Sequence, residues 1–356
     1  MTIRTVCGDI SGEGIGMMSM HEHLYGDFWN GYYEDIGILN DSVNQPITLQ
    51  NYGQIRRNPG ALKENLLVTD TDLTVRELRY FKEAGGGLIV NPLGRGIRRS
   101  NPEALVKISK ESGVHVVAGT GYYIYSTLRD DEKRLDEEEM TELCIKDIRD
   151  GIDGTGIRAG VIGEIGALGE MDAGECKILR AAAKTASATN ASIILHTACP
   201  STLYDSDKMM SWKERTCRVI DFLESNGADP GRIVVGHPDV SEMNPFEDQV
   251  EILKRGVILE YDNFGQEHPY DRENTYALTD WTRIQNIIRF IELGYLNSIV
   301  MATDLWQKIQ YREYGGWGFD HIISNVIPMM KRCGVSDKEV EQIMISTPTR
   351  LLMIEE

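Results

Sequence analysis

Eight short apolar segments rich in β-branched residues recur along this chain, at 16–23, 86–92, 114–121, 159–165, 191–197, 232–237, 257–262 and 298–304. An amphipathic stretch of helical length follows each one. Strands that alternate with helices pair in parallel through crossovers, and eight such units close the sheet on itself. The pattern predicts one α/β domain over 1–356, a (β/α)8 TIM barrel. Helices are expected over 73–87, 102–113, 136–150, 173–189, 212–226, 247–255, 282–294 and 318–333, with 336–352 packing outside the barrel or across its floor. Thr71 and Asp72 read as the cap of the first helix, and Pro102 and Gly113 bracket the second.

One connection is too long for a plain barrel. Residues 24–72, after strand 1, are rich in Asn, Gly, Tyr and Asp, and a long insertion in a compact domain is usually a functional loop. It leaves the face that carries chemistry in such barrels, so a cap over the site is expected. The loop 263–281, after the seventh strand, is expected to shape the same pocket.

The chemistry-bearing residues stand at the C-terminal ends of the apolar runs: His21 and His23 in MHEH, Glu164 in GEIG, His196 in LHT, His237 in GHPD and Asp304 in ATDLW. A lone histidine at a strand end is usually a satisfied core imidazole. Here four imidazoles and two carboxylates converge on one barrel mouth, and buried acids persist only when paired or bound to metal. Nitrogen and oxygen donors suit one or two divalent ions, zinc first, with manganese, cobalt or iron as alternatives. In His21-Glu22-His23 the histidines, two apart, share a strand face while Glu22 points away. Asp304 is the expected ligand that also serves as catalytic base. For substrate contacts, Tyr122 ends the third strand, and Arg99 and Lys308 lie just past the second and eighth. Such cations would suit an anionic tail on a small-molecule substrate.

Composition excludes several other classes. A net charge of -18 opposes nucleic acid and anionic membranes. No apolar run reaches the roughly 18 residues of a membrane span, and the N-terminus lacks a secretory pattern, so a cytoplasmic protein is expected. The six cysteines form no C-x-x-C pair, and Cys199, three residues past His196, is the one placed to approach the pocket. There is no G-x-S-x-G elbow or Walker loop, and GEGIG and GTGYY fall short of a dinucleotide fingerprint.

The motifs HEHL, GTGYY, DGTGIRAGVIGEIG, LHT, GHPD, TD, YGGWGFDHI and GVSDKEVEQIMISTPTRLL, in this order over nearly the whole chain, resemble the phosphotriesterase family of the amidohydrolase superfamily. NPGALKENL, YFKEAGGG and ESGVHVVAGTGYY are similar to its phosphotriesterase-related branch. The resemblance implies a binuclear site, with His21, His23 and Asp304 on one ion, His196 and His237 on the other, and a bridging carboxylate. It also implies hydrolysis by metal-bound hydroxide, and homodimers among its members. Glu164 stands where the organophosphate hydrolases and many lactonases carry a carboxylated lysine, so efficient organophosphate hydrolysis is not expected. Lactone or ester cleavage is placed slightly ahead of amide cleavage of N-acyl amino acids or amino-sulfonates. Promiscuous phosphotriesterase activity and a non-catalytic ligand-binding protein on the same scaffold are the other readings.

Overall fold

The computed structural model describes residues 2–29, 43–96, 101–169, 171–197, 210–270 and 275–354. Eight parallel strands lie in the order of the chain: β1 Met17–Ser19, β2 Gly86–Asn91, β3 His115–Thr120, β4 Ala159–Gly166, β5 Ile193–His196, β6 Ile233–Gly236, β7 Ile258–Tyr261 and β8 Ile299–Met301. Beyond the regular ladder, β1 and β8 meet through Met20 N to Met301 O at 3.4 Å, Asp304 N to His21 O at 3.2 Å and His23 N to Leu305 O at 3.0 Å. Glu22 reinforces this seam, its carboxylate accepting from the backbone N–H of Thr303 and Leu305, both at 2.9 Å. The sheet is thus closed into a barrel.

Helices fill the crossovers: α1 Thr71–Glu83, α2 Pro102–Ser112, α3 Glu137–Arg149, α4 Ala173–Thr189, α5 Trp212–Ser225, α6 Phe246–Leu253 and α7 Asp280–Glu292. The cap of α1 is Asp70, one residue earlier than expected, because its Oδ1 accepts from Asp72 N and Leu73 N. After β8, a π-helical turn at Ile322–Val326 runs into Ile327–Arg332, and the C-terminal stretch holds a second such turn at Gln342–Ser346. No helix among the described residues is long and apolar enough to cross a membrane.

Alternation divides each strand between two cores. Met18, Met20, Leu88, Val90, Val117, Val161, Ile194, Val234, Ile258 and Val300 fill the lower interior, plugged by Ile3, Leu351 and Leu352. The C-terminal stretch therefore seals the floor, one of the two placements expected for it. Their neighbours on the other face, such as Ile89, Val116, Val235 and Leu259, pack under the helices. Each fully buried aliphatic side chain contributes about 1.5–3 kcal/mol, so the floor is a large share of what holds the barrel shut.

The insertion is tied to the C-terminal face. Asn65 Oδ1 accepts from Ile309 N at 3.0 Å, Tyr52 donates to Ile309 O at 3.3 Å, and Ile55 and Leu62 pack on Ile309. Arg56 reaches Glu267 O in the loop after β7 at 3.1 Å. The segment 43–68 is thereby fastened to the loops of β7 and β8.

Candidate metal centre

Above the floor the interior turns polar within one or two residues. On β7 the inward positions read Ile258, Glu260, Asp262, so the alternation that builds the floor also delivers two carboxylates above it. On β5, Ile194 is followed inward by His196, and past β8, Val300 is followed two and four residues on by Ala302 and Asp304.

The other ligand candidates enter where alternation breaks. In β4, Val161 faces in and Ile162 and Ile165 face out, and one extra residue at a bulge turns Glu164 inward. Gly163 makes this possible, since at φ 145 a Cβ there would lie 2.7 Å from Ile194 O. His237 follows β6 in a left-handed conformation (φ 59), and Asp304 adopts one too (φ 44). Such backbone costs about 1–3 kcal/mol for a non-glycine residue and tends to mark functional sites.

Six side chains meet as a result. His196 Nδ1, His237 Nε2 and Glu164 Oε1 form a triangle with sides of 2.6, 2.8 and 3.0 Å. His21 Nε2 lies 3.7 Å from Glu164 Oε1 and 3.8 Å from Asp304 Oδ1, while His23 Nε2 is 3.1 Å from Asp304 Oδ1. His21, Glu164 and His237, and separately His21, His23 and Asp304, offer ligand atoms within 4.8 Å of one another.

The outward nitrogens have their own partners. His21 Nδ1 donates to Glu260 Oε2 at 2.9 Å, and His237 Nδ1 donates to Asp262 Oδ1 at 3.0 Å. His196 Nε2 meets the Tyr123 hydroxyl at 3.1 Å. Each contact leaves the opposite ring nitrogen facing the cluster.

Buried charge is concentrated here. Burial alone would lower His21, but Glu260, Glu164 and Asp304 outweigh it and push it up to about 10. Burial opposes the shift of His237 too, yet Asp262, Glu164 and Asp304 raise it well above the ordinary imidazole value. Burial likewise works against Glu164, which His196, His237 and His21 hold well below the usual carboxylate range. For His23, burial dominates and lowers it. The carboxylates therefore demand positive charge, which protons on the imidazoles or divalent cations would supply.

The unpaired atoms favour cations. His21 Nε2, His23 Nδ1, Glu164 Oε2 and Asp304 Oδ1 are all buried without a hydrogen-bond partner. One such group costs about 1–3 kcal/mol, and native interiors hold only a few. Three of these atoms face the cluster, a donor set that fits divalent ions.

The substrate-contact expectations fare unevenly. From inward Val117, alternation turns Tyr122 to the outer face, where it is buried in the outer core with a hydroxyl that has no hydrogen-bond partner. Tyr123, its neighbour, is the one that reaches the cluster, its ring 5.1 Å from that of His196. Lys308 lies 3.6 Å from Glu64 of the insertion, so its charge already has a partner. Arg99 and Cys199 lie outside the described residues. Phe28 and Trp306 line the side next to His23, with ring centroids 5.3 Å apart for Phe28 and His23 and 6.1 Å for Phe28 and Trp306.

The phosphotriesterase family model matches residues 1–352. This chain belongs to the phosphotriesterase family. It is 33% identical over 358 residues to an N-acetyltaurine hydrolase of Tetraodon nigroviridis, with 98% of this chain and 97% of the relative covered. It is 32% identical over 354 residues to a phosphotriesterase-related protein of Nematostella vectensis, with 97% and 96% covered. Among solved structures, a resiniferatoxin-binding protein from Rhodobacter sphaeroides superposes with a TM-score of 0.87 at 31% identity, covering 99% of this chain and 94% of that one.

Proposed function

We propose that this chain is a binuclear metal-dependent hydrolase acting on a carboxyl derivative of a small molecule. The observation that carries the reading is the cluster of buried, partnerless nitrogen and carboxylate atoms at the barrel mouth. In this reading His21, His23 and Asp304 hold one ion, and His196 and His237 hold the other. Glu164 lies between them, its Oε1 on the His196 and His237 side and its Oε2 without a hydrogen bond. Zinc suits the nitrogen-rich donors best, with manganese, cobalt or iron as alternatives. Two such cations would acidify a bound water and polarise a carbonyl.

The protein's own groups do the rest. Asp304, at the mouth beside both His21 and His23, takes up a proton and returns it to the leaving group. Tyr123 holds His196 from above, and Phe28 and Trp306 form a dry wall that excludes water beside His23. The insertion 24–72 acts as a cap, supported by the fastening of 43–68 to the β7 and β8 loops.

For the scissile bond we put the amide of an N-acyl amino acid or amino-sulfonate first, because a full-length relative is named an N-acetyltaurine hydrolase. The aromatic wall supports a second reading, an uncharged lactone or ester. A panel of N-acyl amino acids and sulfonates, lactones, esters and phosphotriesters offered to the metal-loaded protein separates them. Amine release supports the first reading, and acidification near pH 8 with lactones or esters supports the second. Protein that binds metal and turns over none of the panel would move the reading to a ligand-binding scaffold.

A further inference from the structure

Glu260 is not among the six ligands expected from the sequence, though it, His21 and Asp262 offer atoms within 4.8 Å of one another; it is fully buried on the inner face of β7, two residues above Ile258 of the floor. Its Oε2 accepts from His21 Nδ1 at 2.9 Å, and its Oε1 has no hydrogen-bond partner. A carboxylate only accepts, so this contact keeps the proton on Nδ1 and leaves the lone pair on Nε2, the nitrogen facing Glu164 and Asp304. Asp262 treats His237 in the same way through a separate contact. The mouth is thus underlain by two carboxylate–imidazole pairs, one beneath each set of ligands.

We infer that Glu260 is a positioning residue that fixes the tautomer and aim of His21, and so sets the affinity of the ion held by His21, His23 and Asp304 without setting that of the ion held by His196 and His237. The inference rests on the two-ion reading. Asp262 Oδ2, 3.5 Å from His21 Nδ1, is too distant for a good hydrogen bond and does not replace Glu260. The charge of Glu260 also matters, because a carboxylate behind the ring makes the imidazole a stronger donor to metal. Two substitutions separate these effects. Glu260→Gln keeps an acceptor for Nδ1–H and removes the charge, whereas Glu260→Ala removes both.

The experiment compares wild type with these two variants, stripped and reloaded with Mn2+ or Zn2+, by metal analysis after desalting and by chelator competition, with circular dichroism as the check on fold. Wild type is expected to hold about two ions per chain. Glu260→Ala keeps one with unchanged affinity and weakens the other by about 10- to 100-fold, and Glu260→Gln falls between. With two equivalents of Mn2+ per chain, at a free concentration that fills both wild-type sites but not the weakened one, the spin resonance of wild type shows coupled pairs and that of Glu260→Ala isolated ions. Two unweakened ions in Glu260→Ala, or both ions weakened alike, overturns the inference while the two-ion reading stands. A third ion in wild type also overturns it, since Glu260 would then be a ligand. Should Glu260→Ala fail to fold, Glu260→Gln decides, and affinities equal to wild type overturn the inference. Wild type without two ions removes the two-ion reading and this inference together.

Discussion

The same strands make both ends of this barrel. At the N-terminal end, Met18, Leu88, Val161, Ile194, Val234 and Val300 interlock with Ile3, Leu351 and Leu352 in a dry layer. A few residues further along the same inner faces, the interior holds four histidines with Glu164, Glu260, Asp262 and Asp304. The floor gains from every atom it buries. The mouth gathers desolvated acids, partnerless ligand atoms and two left-handed residues, each a cost to folding. Stability made at one end holds in place a site that is costly to fold, and a pair of cations would offset much of that cost.

The largest effect should come from the mouth. Glu164→Ala is expected to lower kcat by on the order of a thousandfold or more, because the proposed pair of ions would lose a shared carboxylate, while circular dichroism shows a folded barrel. Steady-state kinetics with whichever substrate the panel yields checks this, and retained activity would break the distinction between the two ends. The floor should answer the other way. Ile194→Ala, two residues below His196, is expected to cost about 2–5 kcal/mol of stability in urea unfolding with the number of bound ions unchanged.

Legibility in the sequence divides along the same line. The floor obeys an alternation of apolar residues, so its strands could be placed from the pattern alone. His196 and Asp304 sit in phase with it. Glu164 and His237 do not, because a bulge and a left-handed residue turn them inward, and they stood out only as polar residues ending apolar runs. Glu260 and Asp262 carry a clear signal in the sequence, two acids two residues apart at and just past the end of a buried strand, in phase with Ile258. The same alternation, carried from Val117 past the end of β3, puts Tyr123 inward and Tyr122 outward. Asp70 took the helix cap because a short side chain just before the first turn reaches its free N–H groups best. How the insertion docks was not legible, since Asn65 and Tyr52 bond to backbone distant in sequence.

Acid should cost stability at the loop after β7. His268, in the loop after β7, is lowered to about 4 by burial and by the nearby charges of Arg56 and Arg283. Its folded value lies below its unfolded one, so its contribution is complete above about pH 6.5 and is lost as pH falls toward 4. In metal-free protein, a His268→Gln variant should show a shallower loss of stability over that window than wild type, read from urea melts. Equal slopes would remove His268 from the account. The smallest effect is expected at the rim, where Lys308→Ala should raise KM for an anionic substrate about two- to fivefold, since its charge is shared with Glu64. An equal rise for a neutral substrate would remove anion recognition from its role.

A mouth built for a pair of divalent cations is tested most directly by metal stoichiometry. Protein stripped by chelator, reloaded with Zn2+, desalted and analysed should retain about two ions per chain and melt at a higher temperature than the stripped form. A chain that retains no ion, and melts at the same temperature with and without Zn2+, would contradict the account.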